Sequence, residues 1–255
     1  MEFTLTRSEG RSHALATICA AILALFALSG AGPQTQTQAL PAHTKIRTVG
    51  IISAIGDTLM FERVSKSWYE WIGPPATSFL EITDWDLDDF VDREAAAALS
   101  KHFAVKPVSY AEADFDTWSW PSLVRRLREL PLPVDDIDAY VVILRDWRGD
   151  EIGNSVHQIA GLGVYRRDYS RRPPRLGVFA SYRIAIVDAH SYDILASREA
   201  LMPDGHLPWT PVAPSLWPRT QNDLTDAQRT AFQVDLNKLI DETLKSTLRQ
   251  LALAE

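Results

Sequence analysis

A glycine, an acid and a hydroxyl stand directly after the first strongly apolar run of the chain: Gly56-Asp57-Thr58-Leu59 follows Val49 to Ile55. A hydroxyl at the end of a strand is a nucleophile if a histidine takes its proton and a nearby amide holds the oxyanion that forms. His206, with Asp204 two residues before it, would supply the base, and Gly153-Asn154 the amide. The chemistry would be hydrolysis of an acyl ester, with Thr58, Asn154, Asp204 and His206 as the working set. Gly-Asp is also an ordinary turn after a strand, and that is the reading we adopt.

Metal chemistry needs three or four converging ligands. The six histidines, His13, His43, His102, His157, His190 and His206, are scattered, and Asp188-x-His190 reads as a turn between two strands. No metal site and no cofactor is expected. Cys19, the one cysteine, lies inside an apolar N-terminal stretch, which excludes disulfides and thiolate catalysis from the rest of the chain.

Binding chemistry is better represented. Six of the eight tryptophans fall in three clusters: Trp68 and Trp71 in a long loop, Trp118 and Trp120 before a helix, Trp209 and Trp217 in a Pro-bearing loop. Indoles are enriched at binding hot spots and equally at home folded back on a core, so both readings stay open. The net charge of −7 excludes a nucleic-acid partner held through phosphates. The basic cluster Arg166, Arg167, Arg171, Arg172 and Arg175 around Pro173-Pro174 reads as a solvated loop between strands.

The elements that must position these residues follow from periodicity. Val49 to Ile55 and Asp138 to Leu144 are continuous apolar runs, which predict strands covered on both faces. Between them, Leu87, Phe90, Val91, Ala95, Leu99 and Phe103 recur at spacings of three and four, with acids Asp84 to Asp89 at the start and Lys101-His102 at the end. That is an amphipathic helix with charges complementing its dipole. A short strand, Val105 to Tyr110, follows, then a helix opened by Pro121 with Leu123, Val124, Leu127 and Leu130 on one face.

Val156 to Tyr165, Leu176 to Val187 and Tyr192 to Leu201 read as successive antiparallel strands. The last helix spans residues 224–253, with a Thr225/Gln228 capping box and Phe232, Leu236, Leu239, Ile240, Leu244, Leu248 and Leu251 on its buried face. The expected fold is α/β with α+β character in the second half: one mixed sheet of about five to six strands, in the order β-α-β-α-β-β-β-α, with helices packed on it.

Ahead of this domain, placed at residues 45–255, Arg7 and Arg11 precede an uncharged stretch from Ala14 to Gly30 and small residues suited to cleavage, so residues 1–31 read as a signal peptide or N-terminal anchor. Residues 32–44 form a flexible tether. The expected location is exported and periplasmic, with membrane anchoring through the N-terminal segment as the alternative. Membrane contact is confined to residues 14–30 if they are retained, a stretch shorter than the roughly 20 residues typical of a span.

Two resemblances arise from these residues. Val49-Gly50-Ile51-Ile52-Ser53-Ala54 and the hairpin Ile184 to Leu195, with Asp188-Ala189 at its turn, resemble a group of bacterial envelope proteins: the curli-secretion protein CsgG, the N-terminal domain of TolB, and the penicillin-binding-protein activator lipoprotein LpoB. The resemblance implies a non-enzymatic accessory role built on protein contacts, in a secretion, transport or cell-wall assembly. The chain departs from the group in lacking a lipoprotein cysteine and in placing Ser191-Tyr192 where the turn glycine usually falls.

Gly56-Asp57-Thr58-Leu59 resembles the Gly-Asp-Ser-Leu block of SGNH-type esterases, which implies the hydrolase alternative. Here Thr58 replaces the serine, Asp204 and His206 are one residue closer than that family's pair, and Asn154 does not close a Gly-x-Asn-Asp block. The sequence therefore favours a non-catalytic, protein-binding role, with partner and oligomeric state unspecified.

Overall fold

The computed structural model describes residues 46–64, 76–111, 115, 119–153, 157–168, 173–218 and 224–253. The signal or anchor segment and the tether lie outside them. Among the described residues no helix is long and apolar enough to cross a membrane.

The chain runs β1 (Thr48–Ala54), β2 (Thr58–Val64), β3 (Ala76–Glu81), α1 (Leu87–Leu99), β4 (Ala104–Lys106), α2 (Trp120–Glu129), β5 (Ala139–Arg145), β6 (Trp147–Gly149), β7 (Gln158–Arg167), β8 (Arg175–Asp188), β9 (Ile194–Glu199), β10 (Trp209–Pro211) and α3 (Asp226–Gln250). The class is the expected mixed α/β, but the sheet is ten-stranded, in the order β3-β2-β7-β8-β5-β1-β4, with β6 joined to β7 and both β9 and β10 joined to β8. Strands β1, β4 and β5 are parallel, as their strand-helix-strand order requires. From β5 onward each strand that joins β7 or β8 does so antiparallel.

Strand β8 is the spine. Its residues 175–181 pair with β7, and 182–188 pair with β5. Likewise β1 pairs with β5, and β2, its continuation after Gly56 at φ 98°, pairs with β7. The sheet thus has two halves sharing one spine. On one face, α1 and α3 bury Val91, Ala95, Leu99, Phe232, Leu236 and Leu244 against β1, β2 and β8. On the other face, α2 sets Leu123 and Leu127 against Ile52, Tyr140, Val142 and Val187, which covers only the β1–β5 half. Among the described residues the β2–β7 half has no helix there; its cluster of Met60, Val64, Ile159, Tyr165 and Phe179 is closed by Ile152, Leu207 and Trp209.

Local causes match this layout. Pro121 lies in the first turn of α2. The Thr225 hydroxyl accepts the Gln228 backbone N–H while the Gln228 side chain accepts that of Thr225, the reciprocal cap foreseen for α3. Helix α1 starts later than the acidic run suggests: Thr83–Trp85 form a 3-10 turn and Asp86 is left-handed at φ 48°. The predicted strand Val105 to Tyr110 shrinks to Ala104–Lys106, because only three residues find a partner on β1. Strands β2 and β3, which pair antiparallel on either side of residues 65–75, are absent from the expected element order.

Candidate functional site

Asp204 and His206 both line an open cleft of ≈ 340 Å³. Its apolar lining is Ile152, Met202, Leu207 and Trp209, and its polar rim Glu151, Arg175, Asp204 and His206. The walls are pinned: Leu207 N–H donates to the Glu151 carboxylate (3.3 Å), Arg148 pairs with the same carboxylate (2.7 Å), and Arg175 donates to the Ile152 carbonyl (2.7 Å). The Arg175 guanidinium lies 5.5 Å from the centre of the Trp209 ring, a cation–π contact.

Thr58 is not among the lining residues. It opens β2 opposite Glu81, and the adjoining turn is used structurally, with Ile82 N–H donating to the Asp57 carbonyl (2.7 Å). Asn154 lies outside the described residues. The Asp204 carboxylate accepts the backbone N–H of His206 (3.2 Å), so it shapes a turn. Asp188 does the same at the other Asp-x-His, accepting the N–H groups of His190 (2.9 Å) and Ser191 (2.8 Å), which holds its carboxyl below the usual range. Among the described residues no group of three or more His, Cys, Asp or Glu could hold a metal ion.

Two polar clusters, the first partly buried and the second centred on a fully buried carboxylate, escape a reading based on motifs. In the first, the Asp88 carboxylate accepts the Ser53 hydroxyl (2.5 Å) and the N–H groups of Ile55 (2.9 Å) and Gly56 (3.4 Å), so one side chain from α1 satisfies the backbone where β1 breaks into β2. Beside it, Tyr110 accepts Ser53 N–H (2.8 Å) and its hydroxyl lies 3.1 Å from an Asp92 carboxylate oxygen. Burial pushes Asp92 up to about 6, against the Tyr110 bond and with help from Asp88 and Asp89.

The second cluster lies on the helix-free face. Glu62 is fully buried; one carboxylate oxygen accepts the Thr77 hydroxyl (2.6 Å) and the other has no partner. Burial drives its pKa up to about 7, the Thr77 bond opposing and the Asp150 charge adding. Asp150 accepts the Tyr165 hydroxyl (2.7 Å) and Gly153 N–H (2.7 Å). A Cβ at Gly153 would stand 1.9 Å from the Tyr165 oxygen, so the loop is seated directly on this cluster. The sequence signal for it is the charged pair Glu62-Arg63 inside the otherwise largely apolar run Thr58 to Val64.

Of the six tryptophans singled out, Trp68, Trp71 and Trp118 lie outside the described residues, as does the side chain of Trp120. Trp209 and Trp217 are half-buried, the latter packed edge-on against Phe61 with Arg166 over its ring. The large hydrophobics exposed among the described residues are others: Phe79 (61%), Val234 (60%) and Trp147 (43%). The described part of the basic cluster is partly neutralised, since Arg63 and Arg166 both pair with Asp168 (2.8 and 2.9 Å).

No family model and no curated protein matches this chain. Among solved structures it is similar to a Xanthomonas campestris protein of family model DUF330, at 9% identity over 82% of this chain and 84% of that one, with a TM-score of 0.35. It is also similar to a structure from Helicobacter pylori described as a neuraminyllactose-binding hemagglutinin homolog, at 8% identity over 86% and 89%, with a TM-score of 0.33.

Proposed function

We propose that this chain is an exported, non-catalytic accessory protein of the bacterial envelope, working by contact with other proteins in a secretion, transport or cell-wall assembly. The observation that carries the reading is the exposure of the Phe79 ring, 61% accessible, on the edge strand β3. Large exposed apolar side chains cost solvation unless something covers them part of the time. Export rests on the Arg7/Arg11 flank and the apolar stretch after it.

Gentle crosslinking in cells followed by co-purification from membranes tests both parts. A defined partner, recovered with the exported chain and lost in Phe79→Asp, is the expected result. A full-length reporter fusion that stays cytosolic defeats the export claim. The hydrolase reading keeps one observation in its favour, the shared cleft of Asp204 and His206. Hydrolysis of short acyl esters abolished by Thr58→Ala would reverse the ranking.

A further inference from the structure

The helix-free face stores two carboxylates against one cation. Glu62 stands directly opposite the uncharged Thr77 on β3 and Tyr165 on β7, and Arg167, opposite Val64, comes next along the same face. Asp150 reaches the group from the turn after β6, bonded to the Tyr165 hydroxyl on which Arg167 also acts. Among the described residues these are the charges that face Glu62: Arg63, Arg166 and Asp168 pair with one another on the other side of the sheet, and Arg175 is drawn off to the cleft rim. The two carboxylates are not equivalent. Asp150 accepts at both oxygens, from Tyr165 and from Gly153 N–H, whereas Glu62 is wholly buried with one oxygen that no donor reaches. Beside a single guanidinium the cluster is neutral only while one acid keeps a proton, and that bare oxygen is where the proton fits.

The same cluster anchors one wall of the cleft. Residues 150–153 leave β6 after its last ladder pair, Gly149 with Gln158, and Gly153 is pinned to the Asp150 carboxylate. From there Ile152 closes over Met60, Val64 and Tyr165, the Glu151 carboxylate takes Leu207 N–H, and the Ile152 carbonyl takes Arg175. We infer that residues 150–153 are a pH-dependent flap, seated over Glu62 while that group holds its proton and released, together with the cleft wall they build, when it ionises. A second negative charge beside Asp150 repels the residue that anchors the turn, and lifting the turn lets water reach Glu62. The closed form holds the proton up to about pH 7, while a hydrated Glu62 releases it near 4.5. Opening is therefore favoured about tenfold more for each pH unit between those values and gains nothing above them. The inference stands independently of the envelope role.

The test is amide hydrogen exchange of the full chain, read as protection factors at Gly153 and Leu207, whose N–H groups donate to the two acids of the flap. Protection at both should fall at least about tenfold between about pH 5 and pH 7 and then stay level, and it should be insensitive to about 1 M urea, as local opening requires. Glu62→Gln should hold both amides at their acid-side protection throughout. A second measurement does not depend on that variant. In a Cys19→Ser background, thiol labelling of Ile152→Cys, relative to Cys at the exposed Val234, should rise by a similar factor over the same range. Protection or labelling that ignores pH, a fall that persists in Glu62→Gln, or a urea sensitivity equal to that of the buried Val142 amide would each overturn the inference.

Discussion

The two halves of the sheet share β8 and little else in how they are built. Around β1 and β5, helices cover both faces, and the strands are almost wholly apolar: residues Val49 to Ile55 and Ala139 to Leu144 are all buried. Around β2 and β7, helix covers one face only among the described residues. There a fully buried carboxylate, a tyrosine-carboxylate bond and a cleft are found, and the exposed Phe79 ring sits on the edge strand. Helical cover takes a strand pair out of solvent; a face without it must be closed by loops and side-chain polar bonds, and that face is where recognition can be built.

The largest effect should come from removing what the halves have in common. Truncation at Asn222 deletes α3, whose Phe232, Leu236, Leu239, Ile240, Leu244, Leu248 and the following Leu251 are all buried. At about 1.5 to 3 kcal/mol each this forfeits at least ~10 kcal/mol of gross burial, comparable to the whole stability of a domain. Loss of cooperative melting is expected. A soluble, cooperatively melting fragment would show that α3 is a docking arm.

Asp88→Ala is next. It strands the Ser53 hydroxyl and two backbone N–H groups at the junction of the halves, for a cost of about 2–4 kcal/mol by urea denaturation. Truncating Leu127, which serves only the β1–β5 half, should cost about as much, in the 2–5 kcal/mol range. A cost below 1 kcal/mol for both would erase the contrast between the halves.

Glu62→Gln should do the opposite and stabilise. The Glu62 pKa rises from an ordinary 4.5 to about 7 on folding, so the folded state holds a proton that the unfolded state has released. Stability from this group therefore falls as pH climbs from 4.5 to 7 and is flat above. Replacing it with Gln keeps an acceptor for Thr77 and should add on the order of 1–3 kcal/mol at pH 8 and nothing at pH 4, measured as melting temperature against pH. An unchanged pH profile would show that the carboxylate is solvated. Smallest of all, Phe79→Ser should move stability by no more than about 0.5 kcal/mol, since an exposed side chain loses no packing.

The same contrast decided what could be read from sequence. Strands β1 and β5 and the stripe of α3 were legible because burial on two faces, or on one helical stripe, writes a plain apolar pattern. Strand β2 was not, because Glu62 and Arg63 interrupt the run in Thr58 to Val64, and only the fold shows that one of them is buried against Thr77. Strands β6 and β10, three residues each, are too short to carry a period. Of the candidate site, sequence spacing puts Asp204 beside His206, and both line one cleft, but no spacing shows that Thr58 sits apart from it.

The break at Ile55-Gly56-Asp57 also sets a phase. Strands β1 and β2 are one extended run interrupted by these three residues, and side chains alternate faces along each strand. The length of the interruption fixes which parity of β2 meets the helices. Inserting or deleting one residue there would turn the pleat of β2 over, sending Phe61 to the helix-free face and burying Glu62 against Phe232 and Trp217, which now enclose Phe61. Three residues with a carboxylate clamped across them thus act as the spacer that keeps the two halves of the sheet in step.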